Sequence, residues 1–162
     1  HPDVDPRLRD LGRATAKSFG LASRFVHMEF FRLAEDKPGL GGKGDYVGLE
    51  VNCRPAGGYT PDMMNFAHST DVYQIWANMV TSDCRGLPES NDLYWCVYAG
   101  RRDVHQYVHS HQEVLDAWGD RIVMERRIPD ALSDDMGNQT YTARVRTEDE
   151  LRDFVSFVQE QR

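Results

Sequence analysis

Two short runs constrain this chain more than any other feature: "RFVHMEFFRL" (residues 24–33) and "YVGLEVNCR" (residues 46–54). Each is rich in aromatic and β-branched residues, reads as a strand, and carries a glutamate among apolar neighbours. In an extended chain alternate residues share a face. Phe25, His27, Glu29 and Phe31 therefore point one way, and Val26, Met28 and Phe30 the other. In the second run Tyr46, Gly48, Glu50, Asn52 and Arg54 oppose Val47, Leu49 and Val51. The interval "EDKPGLGGKGD" supplies the Gly and Pro that interrupt regular structure, so the runs are expected to form an antiparallel hairpin with a long loop. A single register would set Glu29 against Glu50 and, at the same time, His27 against Asn52.

Directly opposed carboxylates destabilise a sheet, so something positive is expected between them. Two carboxylates and an asparagine amide offer oxygen donors, the set that Mg²⁺ takes, commonly together with phosphate oxygens. Zinc would prefer more nitrogen or sulfur. The ordinary alternative is a solvated sheet face on which Glu29, Glu50 and Asn52 are plain polar alternation.

The rest of the chain supplies a domain around this hairpin. With 162 residues, 40% of them hydrophobic, residues 1–162 are expected to form a single domain around one core. "DPRLRDLGRATAKSFG" reads as a helix with Asp5 as N-cap, Pro6 at the first position and Gly20 as the stop. Thr60 and Pro61 open a helical stretch that breaks near Ser69 and Thr70. "DLYWCVYAGRR", "RIVMERRIP" and "QTYTARVR" read as strands and "SHQEVLDAWG" as a short helix. The closing helix carries Thr147 and Glu150 at capping-box spacing, with Leu151, Phe154, Val155 and Val158 on one stripe. Hairpin-style strands with separate helices give an α+β fold: a mainly antiparallel sheet with flanking helices.

Composition excludes several classes of partner. The net charge is −7 and no basic stripe interleaves with aromatics, which disfavours nucleic acid. No apolar run reaches the roughly 18 residues of a membrane span, and "HPDVDPRLRD" has no signal-like region. Cys53, Cys84 and Cys96 are odd in number and follow no C-x-x-C spacing, as expected of a reducing, cytoplasmic setting. The chain opens on His1 rather than methionine, as a piece of a longer protein would. "GLGGKG" lacks the spacing and Ser/Thr of a P-loop and is expected to be a hairpin tip. His105, His109 and His111 are expected at the surface, and Met63, Met64 and Trp76 in a helical core stripe.

"RPAGGYTPD" is the remaining phrase with chemical content. Gly57 and Gly58 allow close backbone approach, and a helix starting at Thr60 would present unpaired N–H groups to an anion. An anion such as a carboxylate is the expected ligand of Gly57, Gly58 and Thr60; a plain loop leading into a helix is the alternative.

"VHMEFF" followed by "GLEVNCRPAGGYTPDM" resembles the C-terminal catalytic lobe of the ATP-grasp superfamily, in which a strand glutamate is followed by Glu-x-Asn, often with arginine two residues on. The resemblance runs from about residue 20 to the end, where "YVHSHQEVLDAWG" and "IVMERRIPDAL" look like the small C-terminal elaboration of its carboxylase-like and carboxylate-amine ligase branches. It implies ATP and Mg²⁺ (or Mn²⁺) as cofactors, with Glu29 and Glu50 as metal ligands near the nucleotide and Asn52 completing the second ion's shell. It further implies that Phe31 packs under the adenine and that Arg54 steadies the transferred phosphoryl group. The reaction implied is transfer of the γ-phosphoryl group to a small carboxylate, followed by attack of an amine or similar nucleophile on the acyl phosphate. The family's nucleotide-gripping lobes lie N-terminal to the matched region, so 1–162 alone is expected to be inactive. Two alternatives stand beside this reading: a carboxylase-type enzyme using bicarbonate, and a noncatalytic binding domain that keeps the fold.

Overall fold

The structure is a computed structural model that describes residues 4–82 and 90–162; Cys84 lies outside the described residues. Along the chain come α1 (Pro6–Ser18), β1 (His27–Arg32), β2 (Tyr46–Asn52), α2 (Thr60–His68), α3 (Val72–Ser82), β3 (Trp95–Arg101), α4 (His111–Trp118), β4 (Ile122–Arg127), α5 (Asp130–Met136), β5 (Gln139–Val145) and α6 (Glu148–Gln159). The fold is α+β, with antiparallel sheets flanked by helices. These elements belong to two compact units, one of residues 4–61 and 71–82, the other of 62–70 and 90–162. Composition and length alone give no hint of that division.

In the first unit, α1 starts where its sequence directs. Asp5 accepts the backbone N–H of Arg7, satisfying one of the helix's orphan donors, while Pro6, which has no N–H to leave unpaired, opens the first turn. Gly20 beyond the end takes a φ of 64°, a conformation that costs glycine little. β1 and β2 pair antiparallel in the anticipated register, His27 with Asn52 and Glu29 with Glu50. Beyond Glu29 the register shifts, so that Phe30 pairs with Gly48 and Leu49 is left without a partner, a β-bulge in β2. The "GLGGKG" segment is the hairpin tip: Asp45 accepts the N–H of Gly42 at 2.8 Å and Asp36 that of Lys43 at 2.7 Å. Acidic side chains thus take donors that a phosphate cradle would keep free. Phe25 stacks on Trp76 of α3, ring centroids 5.7 Å apart.

The second unit is built on the sheet β3-β5-β4, antiparallel throughout, with β5 central. Val97 and Ala99 of β3 lie opposite Ala143 and Tyr141 of β5, and this face is covered by Val114 of α4 and Phe154 and Val158 of α6, all buried. Trp118 meets Phe154 edge to face at 5.3 Å. Both helices are fixed by complete capping boxes, Ser110 with Glu113 and Thr147 with Glu150. Gly100 admits the end of α5: a Cβ there would sit 2.6 Å from the Met136 carbonyl oxygen. Gly137, at φ 85°, then turns the chain so that the Asn138 N–H reaches the Arg101 carbonyl at 2.7 Å.

Candidate functional site

Every residue singled out in the sequence for chemistry lies in the first unit. The cross-strand register sets Glu29 beside Glu50, and alternation adds His27 two residues before Glu29 and Asn52 two residues after Glu50. Ligand atoms of His27, Glu29 and Glu50 lie within 4.8 Å of one another. His27 Nε2 stands 3.3 Å from Glu29 Oε1. The Asn52 amide donates to Glu50 Oε1 and stands 3.4 Å from His27 Nδ1. A half-turn of that amide would bring its oxygen to the same place, since the two ends are nearly isosteric.

Water bears most of the cost of placing carboxylates in these apolar strands. The Glu29 side chain is 44% exposed and Glu50 is exposed too, so neither is stripped of solvent. His27 is the member of the cluster that motif reasoning passed over. Its signal was the shared face with Glu29, read for strand pairing and not as a third donor.

A groove of about 480 Å³ runs beside the cluster, lined by Leu11 and Thr15 of α1, by Phe19 just after it, and by Glu29, Phe30, Leu49 and Glu50 of the hairpin. Polar clasps hold α1 to the hairpin. Tyr46 donates to Asp5 at 2.8 Å, and the Arg7 guanidinium donates to Asp45 at 3.1 Å. The Tyr46 hydroxyl, then the Arg7 N–H, hold the Asp5 carboxyl below its usual range, and the same bond raises the Tyr46 hydroxyl.

The other expected residues are less closely gathered. Phe31 is 57% exposed and is not among the residues lining the groove, whereas Phe30 is. Arg54 is exposed and donates to the Pro55 carbonyl at 3.0 Å. Gly57 and Gly58 are open, with nothing within 4 Å of a Cβ built on either, and Gly58 has φ 58°. Thr60 is the first residue of α2, and its N–H reaches back to Gly57 O at 3.4 Å.

No protein-family profile and no curated protein matches the chain. Among solved structures, its fold is similar to phosphoribosylglycinamide synthetase from Anaerococcus prevotii, with a TM-score of 0.59 over 96% of this chain at 12% identity. The chain spans 41% of the length of that protein. At this identity the likeness is one of fold alone.

Proposed function

We propose that this chain is the C-terminal catalytic lobe of an ATP-dependent ligase that activates a small carboxylate as an acyl phosphate for attack by an amine or similar nucleophile. The observation that carries the proposal is the pairing of Glu29 with Glu50 across the hairpin, with His27 close enough to share one cation. Two opposed carboxylates without a cation between them cost the sheet stability, so the arrangement suits a bound ion better than an empty one. The donor set, two carboxylates with an imidazole and an amide, fits Mg²⁺ or Mn²⁺. Glu29, Glu50 and Asn52 would hold the ion, and His27 fits the same shell. Bound there, the ion would neutralise the phosphate charge that builds up in phosphoryl transfer.

The other residues take roles suited to their positions. Arg54, exposed two residues beyond β2, has a planar cation that suits the equatorial oxygens of the transferred group. Phe31 offers exposed aromatic surface for a purine. The open backbone at Gly57 and Gly58, with Thr60 following, would receive the acceptor carboxylate. Positioning and charge neutralisation of this kind supply most of the catalysis in phosphoryl transfer.

Calorimetric titration of Mg²⁺-ATP into the full-length protein tests the reading. Binding that falls at least about tenfold in Glu29→Gln and in Glu50→Gln is the expected result. Equal affinity in the wild type and both variants would leave the two glutamates as structural polar residues and favour a noncatalytic binding domain.

A further inference from the structure

The second unit holds a cavity of about 280 Å³ that none of the residues given a role under the proposed function lines. Its floor is Arg101, the last residue of β3, which is only 6% exposed. Arg101 Nε donates to the Val158 carbonyl at 2.6 Å and Nη1 to the His109 carbonyl at 2.7 Å. Its Nη2 has no hydrogen-bond partner, and no carboxylate pairs with Arg101 among the described residues. The guanidinium lies 4.7 Å from the centroid of the Tyr107 ring and 5.7 Å from that of Tyr141. A buried guanidinium that meets only neutral acceptors and aromatic faces carries an uncompensated charge, which is costly unless an anion arrives to balance it.

The cavity wall does nothing to supply that anion. Arg102 spends its guanidinium on the carbonyls of Ser133 and Asp134, at 3.3 and 2.7 Å. Asp103, the one acidic residue lining the cavity, is engaged by both Nη atoms of Arg127, which hold its carboxyl below the usual range. Three arginines face a single, already paired aspartate in a chain whose net charge is −7. His111, the first residue of α4, also lines the cavity and is hydrogen-bonded through Nδ1 to the Tyr141 hydroxyl at 2.7 Å. The Tyr107 hydroxyl accepts from the Arg102 N–H at 2.8 Å and keeps its own proton for a ligand.

We propose that this cavity binds a small oxyanion, a carboxylate or a phosphate group, that supplies the missing counter-charge to Arg101. The Arg101 guanidinium supplies the charge and the Tyr107 hydroxyl the donor, and the Arg127–Asp103 pair keeps the mouth from turning negative. The site is independent of the Glu29–Glu50 cluster and needs no metal.

Sodium phosphate and sodium malonate, titrated separately and without divalent metal into the full-length protein at ionic strength fixed with chloride, distinguish the two sources of the group. Saturable heat with a Kd of about 1 mM or tighter for either anion is the expected result, and the one that saturates names the class. Arg101→Met should abolish it. Because that substitution also removes the bonds to Val158 and His109, Arg127→Gln serves as the second variant: it changes only exposed groups, frees Asp103 toward the cavity, and should weaken binding about tenfold. Heats equal to those of chloride alone, or affinity unchanged in both variants, would overturn the proposal.

Discussion

In the sheet unit Val114, Tyr141, Phe154 and Val158 are wholly shielded from water, whereas in the hairpin unit Val72 is the one hydrophobic residue buried among those described. There Phe19, Phe31 and Leu49 remain 63%, 57% and 55% exposed. One unit is held by interdigitated side chains, the other by a backbone ladder and polar clasps such as Tyr46–Asp5. The residues with candidate chemistry fall mostly in the second kind of setting. A carboxylate pair tolerates a partly hydrated sheet far better than a dry core. Exposed aromatics around it are surface that a ligand or the rest of a larger protein could cover.

The strongest test of this contrast is Phe154→Ala. Removing a fully buried ring beneath Trp118 should cost about 3–5 kcal/mol, read from the denaturant midpoint. Phe31→Ala, by comparison, should cost less than about 1 kcal/mol, since little of its surface leaves water. Similar losses at the two positions would break the comparison.

Capping gives the next largest effect. Thr147→Ala removes the acceptor for the Glu150 N–H and should cost about 1 kcal/mol. The same boxes predict a response to acid. Glu113 is held below its usual range by the Ser110 N–H and hydroxyl, and Glu150 chiefly by the Arg146 N–H. A carboxyl whose folded pKa is depressed stabilises the fold fully above its ordinary range, and that stabilisation is lost as pH falls through the folded value. Hydrogen-exchange protection at the first turns of α4 and α6, corrected for the intrinsic pH dependence of amide exchange, should therefore fall on acidification, with α6 losing the effect in Glu150→Gln. Asp5 predicts the same direction for α1, so the acid response should be shared by both units while the core response is not.

What could be read from the sequence follows the range of the forces involved. Capping boxes, the Asp5–Pro6 start and the hairpin register depend on near neighbours and on strict alternation, so residues 24–33 and 46–54 already contain the pairing of Glu29 with Glu50. The bulge at Leu49 was hidden because alternation in "YVGLEVN" is unbroken; the isolated Gly48 was its one local sign. α5 escaped because "DALSDDM" has no apolar stripe and no side-chain cap, and it is placed by contacts from distant residues such as Arg102 and Tyr98. The cavity over Arg101 joins β3, β4, β5 and α4, an arrangement that only tertiary structure makes.

The smallest predicted effect bears most directly on the site. If Glu29 and Glu50 repel across the ladder when no cation is present, Glu50→Gln should stabilise the metal-free hairpin by about 0.2–1 kcal/mol. Glutamine keeps an oxygen to accept from Asn52 and removes only the charge. Glu29→Gln should gain less, because it also gives up the contact with His27 at 3.3 Å. Thermal unfolding with chelator and then with excess Mg²⁺ separates the cases: the gain in Glu50→Gln should shrink or reverse when Mg²⁺ is added, because only the wild type retains both carboxylates for the ion. A variant less stable than wild type even with chelator would mean that the pair attracts through His27 and Asn52 more than it repels. The case for a cation between the strands would then lose its electrostatic ground.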